Sequence, residues 1–134
     1  MTQDLISDMI TRLKNASQAR HESTIIPYTK INLNILKIFK KEGYITDFTA
    51  ETDKNLKVTL RYSGWWIKKP FFHEIKRISK PGQRIFSGYK NFAAHFHSIK
   101  DGQGIAIVST SSGVMSHFKA QKLKKGGEIL CYIN

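Results

Sequence analysis

Serine and histidine are the residue types here that could do covalent or acid–base chemistry. The densest polar group is Ser109-Thr110-Ser111-Ser112-Gly113. A nucleophilic serine needs a strand-to-helix elbow of the G-x-S-x-G kind and a histidine held by a carboxylate. That spacing is absent, and only three acidic residues lie between Gly64 and Asn134 to orient a base. His21, His73, His95, His97 and His117 form no His-Glu-x-x-His pattern, and no cysteine pair stands by to complete a zinc site. On a helix, His95 and His97 would project about 200° apart. Gly102-Gln103-Gly104 lacks the third glycine of a dinucleotide fingerprint, and Lys124-Lys125-Gly126-Gly127 lacks phosphate-loop spacing. The expectation is no enzyme, no resident metal or cofactor and no small-molecule substrate.

Recognition chemistry fits better. Lys76, Arg77, Lys80 and Arg84 surround the Pro81-Gly82 turn, with Phe86 close by. Cations for phosphates beside a ring that can stack on a base suit RNA. The Ser/Thr group adds small hydroxyls and freed backbone amides that fit a narrow groove where lysine would not. An ST-turn capping the next helix is the competing reading of the same residues.

Charge supports a polyanionic partner. With 22 Lys+Arg against 10 Asp+Glu the net charge is +12, an excess that self-repels unless neutralised by a partner. It is uneven, +3 over Met1–Ser63 and +9 over Gly64–Asn134. A hydrophobic content of 40% excludes a disordered basic tail. No apolar stretch approaches the ~20 residues of a membrane span. Met1-Thr2-Gln3-Asp4-Leu5 lacks the look of a transit peptide, so a chain that starts near its mature end is expected. The single Cys131, inside Ile129–Ile133, reads as a small core hydrophobe of a strand.

The elements that must position these residues follow from periodicity. Leu5, Ile6, Met9, Ile10, Leu13 and Ala16 recur at helical spacing. Pro27 punctuates the chain before a second helix, with Thr29 as N-cap, Ile31, Ile35, Ile38 and Phe39 as the buried face and Gly43 as the stop. Tyr44–Phe48 and the alternating Leu56, Val58, Leu60, Tyr62 predict strands. A boundary is placed at Ser63-Gly64, where a turn signal meets the step in charge. Beyond it, Phe71–Ile78, Arg84–Phe86, Gly104–Val108 and Glu128–Ile133 read as strands. Phe92, Ala93, Phe96 and Ile99 suggest a short helix, and Met115–Leu123 another. The fold class is α/β (α+β), with a helix-rich unit at residues 1–63 and a β-rich unit at residues 64–134. Trp65-Trp66 is read as local packing, with a lineage-specific contact as the alternative.

Several stretches, in order along nearly the whole chain, resemble one family. Gly104-Ile105-Ala106-Ile107-Val108-Ser109-Thr110-Ser111-Ser112-Gly113-Val114-Met115 is similar to the signature of the eighth protein of the bacterial-type small ribosomal subunit. Asp8–Ala16, Glu42–Ile45, Ile78–Phe86 and Gly126–Tyr132 resemble its first helix, its helix-to-strand junction, its central turn and its C-terminal strand. The resemblance implies a two-domain protein that binds the central domain of 16S-type rRNA early in assembly, beside neighbouring small-subunit proteins. It implies that Ser109, Thr110 and Ser111 enter the minor-groove side of that RNA and that Lys80, Arg84, Phe86 and Glu128 flank or support that surface. Asp4, Thr11, Arg12 and Asn15 of the first helix would offer a second RNA contact.

The chain also departs from the family's pattern. Phe86 stands where the family usually has Tyr, so a hydroxyl contact is absent. The connection from Phe86 to Gly104 is longer and lacks a proline. Ser116–Gln121 replaces a more charged segment, and Asn134 stands where many members carry Trp. An RNA-modifying enzyme and a basic DNA-architectural protein are the alternatives. The first needs a nucleophile or cofactor site, and the second predicts indifference to the serines. Richness in Ile, Lys, Asn and Phe points to an AT-rich organellar genome, mitochondrial or plastid, ahead of a divergent bacterium.

Overall fold

The computed structural model describes residues 4–67, 69–95 and 104–134. Its contacts divide into two compact units, one running to His73 and the other spanning Glu74–Asn134. The division falls beyond the turn at Ser63-Gly64 because strand β4 (Tyr62–Ser63) pairs back with β5 (Lys69–Pro70).

In the first unit, helix α1 (Leu5–Gln18) begins where the Asp4 carboxylate accepts from the Ser7 N–H at 3.3 Å. Ile6, Met9, Ile10, Leu13, Ala16 and Ser17 form its buried stripe. Strand β1 (Ser23–Pro27) follows, antiparallel to β3 (Asn55–Leu60). It was not expected, because Pro27 reads as a break. A proline is tolerated there because β1 is an edge strand in the order β1-β3-β2. Helix α2 (Lys30–Lys41) has Thr29 as N-cap, as expected, and Gly43 takes φ +84 after its end. Its buried residues are Asn32, Ile35, Leu36 and Phe39, with Ile31 and Ile38 half-buried. Asn32 is fully buried because its amide donates to the carbonyls of Pro27 at 3.2 Å and Leu5 at 3.4 Å. It ties α2 to β1 and to the start of α1. Strand β2 (Ile45–Ala50) completes the sheet, and Leu56, Val58 and Leu60 alternate inward on β3 as their period predicts.

In the second unit the strand order is β6-β10-β8-β9, with β7 also on β10. Strand β6 is Ile75–Arg77, shorter than the expected Phe71–Ile78. Phe71 bonds back to Arg61 in the first unit, and only from Glu74, paired with Asn134, does the chain join β10 (Gly127–Ile133). Pro81-Gly82 forms a tight turn closed by reciprocal Lys80–Gln83 backbone bonds of 2.8 and 2.9 Å. Buried Ser79 supports that loop, its hydroxyl accepting from Ile85 N–H at 2.8 Å. Then come β7 (Phe86–Ser87) and a short 3-10 helix, Phe92–His95. Phe96 and Ile99 of the expected helix, His97, and Gly102-Gln103 lie outside the described residues. Strand β8 (Ile105–Thr110) runs two residues past the expected Val108.

The expected helix over Met115–Leu123 is corrected at its start. Gly113–Ser116 is strand β9, paired with β8, and helix α3 is His117–Lys122. Ser116 ends the strand and caps the helix, its hydroxyl accepting from Lys119 N–H at 3.3 Å. Phe92, Ala106, Val108, Met115, Ala120 and Ile129 make one core, flanked by Ile78, Ile85 and Tyr89. Cys131 is fully buried and burial pushes its thiol up to about 12, so it behaves as a core hydrophobe. Trp65 and Trp66 do not pack locally. Both stand almost wholly exposed in the segment between β4 and β5.

His117 is 1% exposed and its Nδ1 accepts the Ala106 N–H at 3.0 Å, standing in for a strand partner beyond the end of β9. Burial holds its pKa below the ordinary histidine value. The unfolded chain therefore takes up the proton first. Stability is full above ~6.5 and falls as pH drops toward the lower folded pKa. Thermal unfolding between pH 7.5 and 5 should show that loss, and His117→Asn should flatten it.

Candidate nucleic-acid interface

Strand pairing sets four side chains in a row across the second sheet. Phe86 on β7 pairs with Glu128 on β10, Glu128 with Ser109 on β8, and Ser109 with Val114 on β9. Directly paired residues share a face. One position along, Ile129, Val108 and Met115 are likewise paired and lie in the core. Alternation therefore places Phe86, Glu128, Ser109 and Val114 on the opposite, outer face. Phe86 is 67% exposed there, with Ser109 and Glu128 half-buried.

The row ends at a β-hairpin whose turn is Ser111-Ser112. Thr110 closes it: its hydroxyl accepts from Ser112 N–H at 3.1 Å and donates to the Gly113 carbonyl at 2.9 Å. Gly113 has φ +113, a backbone shape that favours glycine. The Lys125 ammonium donates to the Ser112 hydroxyl. Thr110 and Ser112 are thus engaged within the protein, while the Ser109 and Ser111 hydroxyls have no partner among the described residues. Strand β8 and its turn thus each carry one unpartnered hydroxyl.

Arg84 donates to Glu128 Oε1 at 3.0 Å. Their side chains are 49% and 18% exposed, so the pair adds at most about 1 kcal/mol. Its effect is mainly positional, because it draws the guanidinium toward Glu128 on the row and offsets that carboxylate. Lys80 is exposed on the Pro81-Gly82 turn and carries no ion pair among the described residues. Ser109, Thr110, Ser111, Phe86, Arg84 and Glu128 are thereby drawn onto one sheet face and its hairpin, with Lys80 on the adjoining turn.

Asp4, Thr11, Arg12 and Asn15 belong to the first unit and form a separate group. Asp4 is the cap of α1. Arg12 bonds Asp8 at 3.1 Å and the Ile25 carbonyl at 3.0 Å, which holds the helix against β1. Thr11 and Asn15 are exposed one turn apart on α1. Arg12, Asn15, Ala16, Ala19, His21, Thr24 and Ile25 line a shallow groove there.

Sequence reasoning missed β9, and with it the hairpin that presents Ser111. The signal was the pair of small polar residues before a glycine, between Val108 and Met115 at matching inward positions. It also missed Gly127. A Cβ there would collide with the Ser109 carbonyl, meeting its carbon at 2.9 Å and Val108 Cγ1 at 3.1 Å. Only glycine lets β10 and β8 approach behind the serine.

A family model described as Ribosomal protein S8 matches residues 4–134. The small ribosomal subunit protein uS8c of Phaeodactylum tricornutum is 45% identical over 136 residues, covering 99% of both chains. The protein of the same name from Gracilaria tenuistipitata var. liui is 43% identical over 136 residues, again 99% of both. Small ribosomal subunit protein uS8 of Trichormus variabilis is 41% identical over 133 residues, 97% of this chain and 96% of the relative.

Gly127→Ala should lower unfolding stability by about 1–3 kcal/mol through overpacking. Gly82→Ala, with open space around the added carbon, should change it by less than about 0.5 kcal/mol. Denaturant midpoints of the two variants check the contrast.

Proposed function

The chain belongs to the ribosomal protein S8 family, which makes it a structural constituent of the small ribosomal subunit and not an enzyme, and on that premise we propose that it binds the central domain of 16S-type rRNA directly and helps assemble it. The observation that carries this reading is the outer row of the second sheet. The Phe86 ring and the unpartnered Ser109 hydroxyl flank Glu128 on the outer row, with Arg84 paired to that carboxylate and the Ser111 hydroxyl in the adjoining turn. Lys80, Arg84 and the other cations contact phosphates and set orientation without reading sequence. Ser109 and Ser111 meet 2′-hydroxyls and base edges on the minor-groove side of an irregular helix, where a regular duplex offers no match. Phe86 supplies a stacking plane but no hydroxyl. Glu128 acts through Arg84 and needs no contact of its own. Thr110 shapes the turn.

Thr11, Arg12 and Asn15 of α1 give a second, weaker RNA contact, with Asp4 fixing the start of the helix. Neighbouring small-subunit proteins complete the surroundings. Relatives named uS8c, together with uS8 of Trichormus variabilis, favour a plastid origin over a mitochondrial one.

The test compares binding to the central-domain rRNA hairpin with binding to a regular RNA duplex of equal length, over a salt series. Wild type should prefer the hairpin. Ser109→Ala/Ser111→Ala should remove most of that preference, roughly 1–3 kcal/mol for two lost hydrogen bonds, and leave the salt slope nearly unchanged. Lys80→Ala should do the reverse, weakening both RNAs alike and reducing the slope by about one unit. Equal affinity for the two RNAs, indifferent to the serines, would return the protein to the class of basic proteins without shape selectivity.

A further inference from the structure

Trp65 and Trp66 are 98% and 95% exposed, and Ile67 is 57% exposed. Indoles of this size ordinarily bury 150–250 Å² each, so two adjacent bare ones need a partner. The base of their hairpin is built firmly. Tyr62 pairs with Pro70 and Ser63 with Lys69. The Tyr62 hydroxyl donates to the His21 carbonyl at 2.5 Å, just past the end of α1. Phe71 N–H donates to the Arg61 carbonyl at 3.1 Å. The Arg61 guanidinium lies 4.0 Å from the Phe71 ring centre and donates to the Gly43 carbonyl at 2.7 Å. Gly64 has φ +108, and a Cβ there would collide with the Ile67 carbonyl, so the chain doubles back within this short span. The strands on either side of the indoles are thus tied into the first unit, and the indoles project from that base.

The charge of the sequence segment that carries the indoles points to the partner. Between Asp53 and Glu74 the sequence holds five Lys and Arg and no Asp or Glu. Exposed indoles in an acid-free basic stretch match a molecule that is anionic along its backbone and flat and apolar at its bases. We infer that Trp65 and Trp66 form a stacking platform for unpaired bases of RNA, a contact separate from the serine hairpin. It lies on the unit that also carries Thr11, Arg12 and Asn15, and it rests on the reading of this chain as an RNA binder. Stacking tolerates any base because every base has a π-face, so the platform reads strandedness and not sequence.

These are the chain's two tryptophans, so emission excited selectively at the indoles, past the tyrosine absorption, reports on the hairpin alone. The full chain is titrated with single-stranded oligoadenylate, with an abasic ribose-phosphate strand of equal length and with a regular duplex. Oligoadenylate should quench the emission, and the abasic strand and the duplex should leave it nearly unchanged. Trp65→Ala/Trp66→Ala should lose roughly ten-fold or more in oligoadenylate affinity with an unaltered melting curve, because the indoles support no core. Trp65→Phe/Trp66→Phe should regain most of it. Ser109→Ala/Ser111→Ala should leave the quenching intact, so failure of the serine reading and failure of the platform give different results. Equal responses to oligoadenylate and the abasic strand, or full affinity in the alanine pair, would overturn the proposal. So would silence toward every RNA with a blue shift on adding RNA-free small-subunit proteins, which would assign the indoles to a protein contact.

Discussion

Strand β10 is hydrogen-bonded on both edges, and the second unit is organised around that fact. Along one edge it takes β6 and β7 in succession, and along the other it takes β8. Every residue of the outer row is therefore placed relative to one seven-residue segment. The requirement that makes this work is steric: at Gly127 the neighbouring strand comes closer than any side chain would allow. Leu130, at the register shift between Ile129 and Cys131, adds a local bend. Beyond it both faces of β10 are buried, so the outward-facing end of the strand is its beginning, where Glu128 stands.

Much of the fold was legible in the sequence wherever one face is buried and the other is wet. The stripe of α1, the Thr29 cap and the alternation of β3 all follow from period and cap chemistry. What was not legible has definite causes. β1 was hidden because Pro27 reads as a break unless one knows it lies on an edge. β9 was hidden because Met115 and Ala120 fit a helical spacing equally well, and only pairing with β8 decides between the two. The placement of Phe86 beside Glu128 and Ser109 is a matter of register between strands distant in sequence, which no local pattern encodes. The resemblance supplied those residues as a set. The register places Phe86, Glu128 and Ser109 on one face, with Thr110 shaping the turn beside them.

The division of labour between charge and hydroxyl also has a physical basis. The +12 net charge draws the chain to any polyanion, and at physiological salt that attraction is screened beyond about 8 Å. Discrimination must come from groups at contact distance. In the proposed complex Arg84, biased toward Glu128 by a weak ion pair, would offer its planar fork from a narrower range of positions than a free lysine.

Thr110 has a further consequence. By closing the Ser111-Ser112 turn from within, it would remove from the proposed binding much of the cost of ordering that loop, which for flexible segments amounts to about 1–2 kcal/mol per residue of backbone. The protein then arrives as a mould of fixed shape. In the proposed complex, the entropy lost on association and the heat-capacity change that accompanies surface burial and ordering would fall mainly on the RNA, whose irregular helix would settle into a shape already cast in protein.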